Sequence, residues 1–157
     1  MPQFHPPADK LESPQDYQTY EHRAFKRASM GRGILIVDDE AAVAESLSAV
    51  FTHSGYRVRT ALSAEEAIET LAAWEPDLAI LDVMLPRMNG LELAVVLRDN
   101  HPRCRLVLFS GHADTPALAE AAAKKGSFFE ILSKPVHPLF MLDYVASLFS
   151  EPTTGAA

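Results

Sequence analysis

The sequence predicts an α/β domain: five strand–helix units, (βα)5, forming a doubly wound parallel sheet with helices on both faces. Two observations predict it. From Ile34 to Ser150, apolar runs of strand length alternate with amphipathic helical segments, the pattern of parallel β–α–β connections. The runs ILIVD and LAILD and the LVLF of RLVLFS are also continuously apolar rather than alternating, as strands buried on both faces must be.

The elements follow in order. ILIVD, ending at Asp38, is the first strand. Val43, Leu47, Val50 and Phe51 then recur at i, i+4, i+7 and i+8, one face of a helix. Gly55 ends that helix, because glycine accepts the left-handed conformation of a helix stop. YRVRTAL alternates polar and apolar residues and reads as a strand nearer an edge. Ser63, with Glu66 three residues on, predicts a capping box at the second helix, and Pro76 closes it. LAILD, ending at Asp82, is the third strand. Asn89 and Glu92 repeat the capping spacing before LAVVLRD. RLVLFS, ending at Ser110, is the fourth strand. Pro116 sits where a first helical turn tolerates it, ahead of ALAEAAAKK, and Gly126 stops that helix. FFEILS is the fifth strand. Pro138 opens the last helix, with Leu142, Val145 and Phe149 on one face.

Residues 1–32 read differently. They hold four of the eleven prolines and no sustained periodicity, which predicts a flexible arm or a short helix. Arg23, Lys26, Arg27 and Arg32 make its end basic, a solvated tail first and a docking arm second. The domain is expected over 33–150, and EPTTGAA at 151–157 as a disordered tail.

Composition narrows the function. The 157 residues are 48% hydrophobic and 22% charged, with formal net charge −7. The acidic balance disfavours nonspecific binding of nucleic acid or anionic membrane. One cysteine, Cys104, excludes an intrachain disulfide and any CxxC site. The six histidines lack metal-ligand spacing. No signal peptide or membrane span is evident, so a cytoplasmic location is expected.

The strand exits carry the chemistry. Asp38 and Asp39 end the first run, Asp82 the third, Ser110 the fourth and Lys134 the fifth. Ligands of open parallel sheets bind beyond the carboxyl ends of the strands. Three acids, a hydroxyl and a lysine at such exits suit divalent-metal and phosphoryl chemistry. Singly, each has a plainer reading. Asp38 and Asp39 are possible helix caps, Asp82 a turn acid, Ser110 a turn residue, and Lys134 a surface lysine. Their joint placement argues for the site.

VDDE, the LDVMLPRMNGLEL block with Pro86 and Gly90 at fixed offsets from Asp82, the Ser110-Gly111 pair and the Lys134-Pro135 step go further. Over residues 33–150 they resemble the receiver domain of the bacterial response-regulator family. The resemblance implies a flavodoxin-like fold with strand order 2-1-3-4-5. Strands one, three, four and five are then neighbours, and their polar ends share one crevice. It implies that Asp82 accepts a phosphoryl group from a histidine kinase or a histidine phosphotransfer protein. It implies Mg2+ bound by Asp38, Asp39, Asp82 and the backbone carbonyl of Met84. Such an ion prefers octahedral oxygen ligands and phosphate, and a carboxylate nucleophile needs phosphoryl charge neutralised. Lys134 would place a cation on the phosphoryl oxygens, Ser110 a mobile hydroxyl beside them, and Gly111 would leave room for the donor.

Three positions concern switching. Ile131 stands where the family usually carries an aromatic ring, with Phe128 and Phe129 just upstream. Met84 and His112 occupy the positions that tune phosphoryl lifetime, and His112, titrating near neutrality, is expected to make that lifetime pH-dependent. With no further module after the fifth helix, the resemblance implies a stand-alone response regulator of a two-component or phosphorelay system. It is expected to be no enzyme beyond self-catalysed phosphorylation and dephosphorylation. A downstream protein partner is expected, without direct nucleic-acid or membrane binding. A homodimer through helix four, strand five and helix five is a further expectation. One alternative is a pseudo-receiver that binds partners without phosphorylation. A haloacid-dehalogenase-type phosphatase is the other, disfavoured by Met84 where a second acid is required.

Overall fold

The computed structural model describes residues 13–15, 30–111, 115–126 and 129–150. Strands and helices alternate: β1 (Gly33–Val37), α1 (Ala41–His53), β2 (Arg57–Ala61), α2 (Ala64–Ala73), β3 (Leu78–Asp82), α3 (Gly90–Asn100), β4 (Arg105–Ser110), α4 (Thr115–Lys124), β5 (Ile131–Ser133) and α5 (Pro138–Ser150). The strands form one sheet in the order β2-β1-β3-β4-β5, with every neighbouring pair parallel. This is the flavodoxin-like order that the resemblance implies.

Strand periodicity divides the core in two. Ile34, Ile36, Leu78, Ile80, Val107 and Phe109 point to the face covered by α1 and α5, where Ala44, Leu47, Phe51, Met141, Val145 and Phe149 meet them. Leu35, Val37, Ala79, Leu81 and Leu108 point to the other face, under α2 and α3. β1 and β3 are buried at every position, which is why their sequences do not alternate. Each such Leu, Ile or Phe contributes roughly 1.5–3 kcal/mol. An exposed ion pair such as Arg98–Asp99 contributes at most about 1, so the apolar core sets the fold.

The helix ends largely follow local chemistry. Asn89 and Glu92 form the complete capping box of α3. At α2 the box is half made: Ser63 accepts from the Glu66 amide, but the Glu66 carboxylate takes the amide of Leu62 instead of Ser63. α1 ends in a Schellman turn on Gly55, at φ 95°. The amides of Tyr56 and Gly55 donate to the carbonyls of Phe51 and Thr52, and the Tyr56 and Phe51 rings meet edge-on at 5.3 Å. The C-terminal end of α5 is met by a guanidinium from β4, Arg105 donating to the Leu148 carbonyl.

Three expectations are corrected. The fifth strand is only Ile131–Ser133, because β4 is its one neighbour and pairs with it at just these residues. The second strand is Arg57–Ala61, with Tyr56 turned into the core instead. α2 ends at Ala73, before Pro76, as the backbone turns extended at Trp74. The edge position of β2 is as expected, and it is largely exposed. Most of the 1–32 arm and the 151–157 tail lie outside the described residues.

Candidate functional site

Strand register explains the site. Val37 of β1 lies beside Leu81 of β3, so Asp38 and Asp82 leave the sheet next to each other. Phe109 lies beside Asp82, and Ser110 beside Ser133. Asp38, Asp82, Ser110 and Lys134 are thereby carried to one rim by four adjacent strands.

Carboxylate oxygens of Asp38, Asp39 and Asp82 come within 4.8 Å of one another, the one such acid, histidine or cysteine group among the described residues. Asp38 is fully buried and Asp82 nearly so, whereas Asp39 faces solvent. The plainer reading of Asp38 as a helix cap fails. The N-cap of α1 is Glu40, without a side-chain cap bond, and Asp38 Oδ1 instead accepts the Glu40 amide at 2.9 Å in the turn before it. Asp82 Oδ1 accepts the Met84 amide at 3.0 Å, which ties the acid to the start of the β3–α3 loop.

The lysine binds both buried acids. Lys134 Nζ lies 3.2 Å from Asp38 Oδ2 and 3.2 Å from Asp82 Oδ2, with the ring centroid of Phe109 at 4.6 Å. Burial pulls its pKa down, but the charges and hydrogen bonds of Asp82 and then Asp38 outweigh this, leaving it above the ordinary lysine value. Lys134 is therefore cationic at neutral pH. The peptide bond to Pro135 is cis, and the Lys134 amide donates to the Ser110 carbonyl at 2.9 Å. Ser110 itself is buried.

Two glycines permit the packing. A Cβ on Gly90 would overlap the Asp82 backbone carbonyl, and one on Gly111 would come 3.2 Å from Lys134 Cβ. Gly90 thus lets α3 start against the end of β3. Gly111 makes room for Lys134, a nearer reason than donor access.

Asp38, Asp39, Asp82, Ser110 and Lys134 are brought together as expected. Met84 is half-buried beside them. Ile131 and Phe129 are half-buried and pack on the α2–α3 face of the core. Arg98 lies 5.9 Å from the Phe129 ring. His112 and Phe128 lie outside the described residues.

Two features had no sequence signal. A cleft of about 550 Å3 opens beside Lys134, between α1 and the β5–α5 connection, lined by Val43, Leu47, Phe109, Val136, Pro138 and Met141 among others. And Glu65, on α2, touches the β3–α3 loop at Arg87 and Met88. Both bring together residues far apart in the chain.

An all-oxygen trio of carboxylates suits a hard divalent cation that keeps several waters. A lysine ammonium alongside suits a phosphoryl group.

Comparison with known proteins agrees. The family model described as the response regulator receiver domain matches residues 34–146. The nitrogen assimilation regulatory protein NtrX of Azorhizobium caulinodans is 37% identical over 108 residues, 68% of this chain and 23% of its own length. Response regulator MprA of Mycobacterium ulcerans is 48% identical over 65 residues, 41% of this chain and 28% of its own. The chain thus spans about a quarter of the length of the curated relatives it matches. Among solved structures, a CheY-like response regulator receiver domain protein from Methanospirillum hungatei superposes with TM-score 0.67 at 26% identity, covering 76% of this chain and 94% of that one. The receiver domain of NtrX from Brucella abortus gives 0.62 at 30% identity, covering 74% and 96%. With the family model spanning most of the chain, and the acid trio and lysine at its strand ends, this protein belongs to the response-regulator receiver family of two-component signalling.

Proposed function

We propose that the chain is a phosphoryl-accepting switch, a response regulator whose Asp82 takes a phosphoryl group from a histidine kinase or a histidine phosphotransfer protein. The observation that carries this reading is the contact of one lysine with two buried acids beside a third, Lys134 at 3.2 Å from both Asp38 and Asp82. Burying two carboxylates is costly unless they are paired. The same lysine can supply the positive charge that phosphoryl transfer to a carboxylate calls for.

Asp38, Asp39, Asp82 and the Met84 carbonyl would hold Mg2+. When bound, the ion supplies charge neutralisation at the phosphoryl oxygens. The residues do the rest. An Asp82 carboxylate oxygen attacks phosphorus, and the bond to the donor's leaving group breaks in line, its electrons departing with that group. Lys134 turns from the acids to the new phosphoryl oxygens, and the Ser110 hydroxyl donates to another. His112 and Met84 set how readily water hydrolyses the aspartyl phosphate, releasing inorganic phosphate and restoring the Asp82 carboxylate. The apolar cleft between α1 and the β5–α5 connection offers the donor protein a surface beside Lys134. Phosphorylation then changes the chain's binding to a downstream protein, with a homodimer through α4, β5 and α5 as one outcome.

Ile131 favours a second reading, a partner-binding module that phosphorylation does not regulate. It is packed against the core, with no ring at that position to rotate. One experiment separates the readings: a small acyl phosphate with Mg2+ yields an acid-stable, base-labile adduct on the wild type and none on Asp82→Asn. An unlabelled wild type favours the second reading.

A further inference from the structure

The β3–α3 loop runs from Asp82 to Gly90 and carries Met84, so its shape sets both the acceptor and the carbonyl assigned to the cation. Asp82 ties down its start. Its end is tied by the Gly90 amide, which donates to the Val83 carbonyl at 2.8 Å. The stretch between has an internal cost: Arg87 sits at φ 63°, the one non-glycine residue at positive φ among the described residues. A side chain there is strained where glycine is not.

The strained turn is gripped from outside the loop by a single carboxylate. Glu65, in the first turn of α2, accepts the Met88 amide at 3.4 Å and faces Arg87 Nε at 3.5 Å through the same oxygen. Its other oxygen lies against the protein, while the side chain as a whole stays 43% exposed. Glu65 is held below the usual carboxylate range, first by its own backbone amide, with smaller contributions from the Met88 amide and Arg87, so it is anionic at neutral pH. The strained turn at Arg87 thus meets an outside carboxylate at one joint, and such strain persists where the surroundings over-determine it.

We infer that Glu65 is a positioning residue for the acceptor site: by clamping Arg87 and Met88 it fixes the β3–α3 loop, and through it the Met84 carbonyl. This rests on the proposed phosphoryl acceptance. The clamp acts on cation affinity more than on the chemical step, because Glu65 touches neither the donor nor Asp82.

The test is the midpoint of a calorimetric Mg2+ titration of the full chain without phosphodonor, beside the rate of phosphorylation by acetyl phosphate at saturating Mg2+. Glu65→Ala raises the midpoint about tenfold, the usual scale for loss of an outer support of a metal site, while the saturated rate stays near wild type. Glu65→Gln, which keeps the shape and an acceptor for the Met88 amide, raises it less and serves if the alanine variant fails to fold. Arg87→Gly in the Glu65→Ala background moves the midpoint back toward wild type, since glycine adopts φ 63° without strain; loss of a merely structural contact would not be rescued this way. A wild type that is labelled normally, with an unmoved midpoint in the Glu65 variants or no rescue by glycine, overturns the clamp alone. A wild type that is not labelled at any Mg2+ concentration overturns the phosphoryl-acceptor reading and the clamp with it.

Discussion

Lys134 holds two acids that would otherwise face each other out of water. Asp38 is fully buried and Asp82 is 3% exposed, and removing one partner of a buried ionic group leaves the other charge uncompensated. Lys134→Ala is expected to lower stability at pH 7 by roughly 2–4 kcal/mol, measured by urea unfolding without divalent cations. Added Mg2+ should then restore more stability to the variant than to the wild type, because a ligand that binds only the folded state stabilises by its affinity. The sign of the pH dependence follows from the raised Lys134 pKa. Its contribution is complete below the ordinary lysine value of about 10.4 and is lost as pH climbs through the higher folded value. Cys104 is the contrasting group. Burial, with Asp77 and Glu75 adding to it, pushes its thiol up to about 12. Native protein at pH 9 should therefore resist iodoacetamide while urea-unfolded protein reacts, since only the thiolate is nucleophilic. Equal rates in the two states would contradict the burial of this side chain.

Helix starts and close approaches set the site's frame. The Asn89–Glu92 box starts α3 immediately after the β3–α3 loop, and Asn89→Ala should cost about 1 kcal/mol in thermal or urea unfolding. Gly90→Ala should cost more, roughly 3 kcal/mol, because its Cβ would strike the Asp82 backbone rather than a movable side chain. Equal losses in the two variants would show that the contact relaxes freely. These elements also show what was legible beforehand. The Asn89–Glu92 spacing, Gly55, and the apolar runs ending in Asp38, Asp82, Ser110 and Lys134 are local patterns, and local patterns survive in sequence. The half-made box at Ser63 was not legible, since Glu66 reaches either Leu62 or Ser63 at nearly the same cost. Nor was the short β5, because FFEILS reads as strand well past the residues its one neighbour pairs. The Glu65–Arg87 joint joins positions 22 apart, and Arg105 meets a carbonyl 43 residues away. No periodicity announces such pairs.

The molecule as a whole is a sheet with two apolar faces and one reactive rim. Its topology turns four separate strand endings into one crevice, which is why residues from Asp38 to Lys134 meet. Both faces of the sheet are given to packing, and the two core clusters share no residue. The rim is expected to work within the folded domain alone, so its chemistry can be read on the full chain with a small donor and no partner protein. The most direct measurement treats the acetyl-phosphate- and Mg2+-exposed chain with borohydride, which reduces an aspartyl phosphate to homoserine, and sequences the peptides by mass spectrometry. Homoserine at position 82 alone is the predicted result. Homoserine at Asp38 or Asp39 instead, or at no position, would contradict Asp82 as the phosphoryl acceptor.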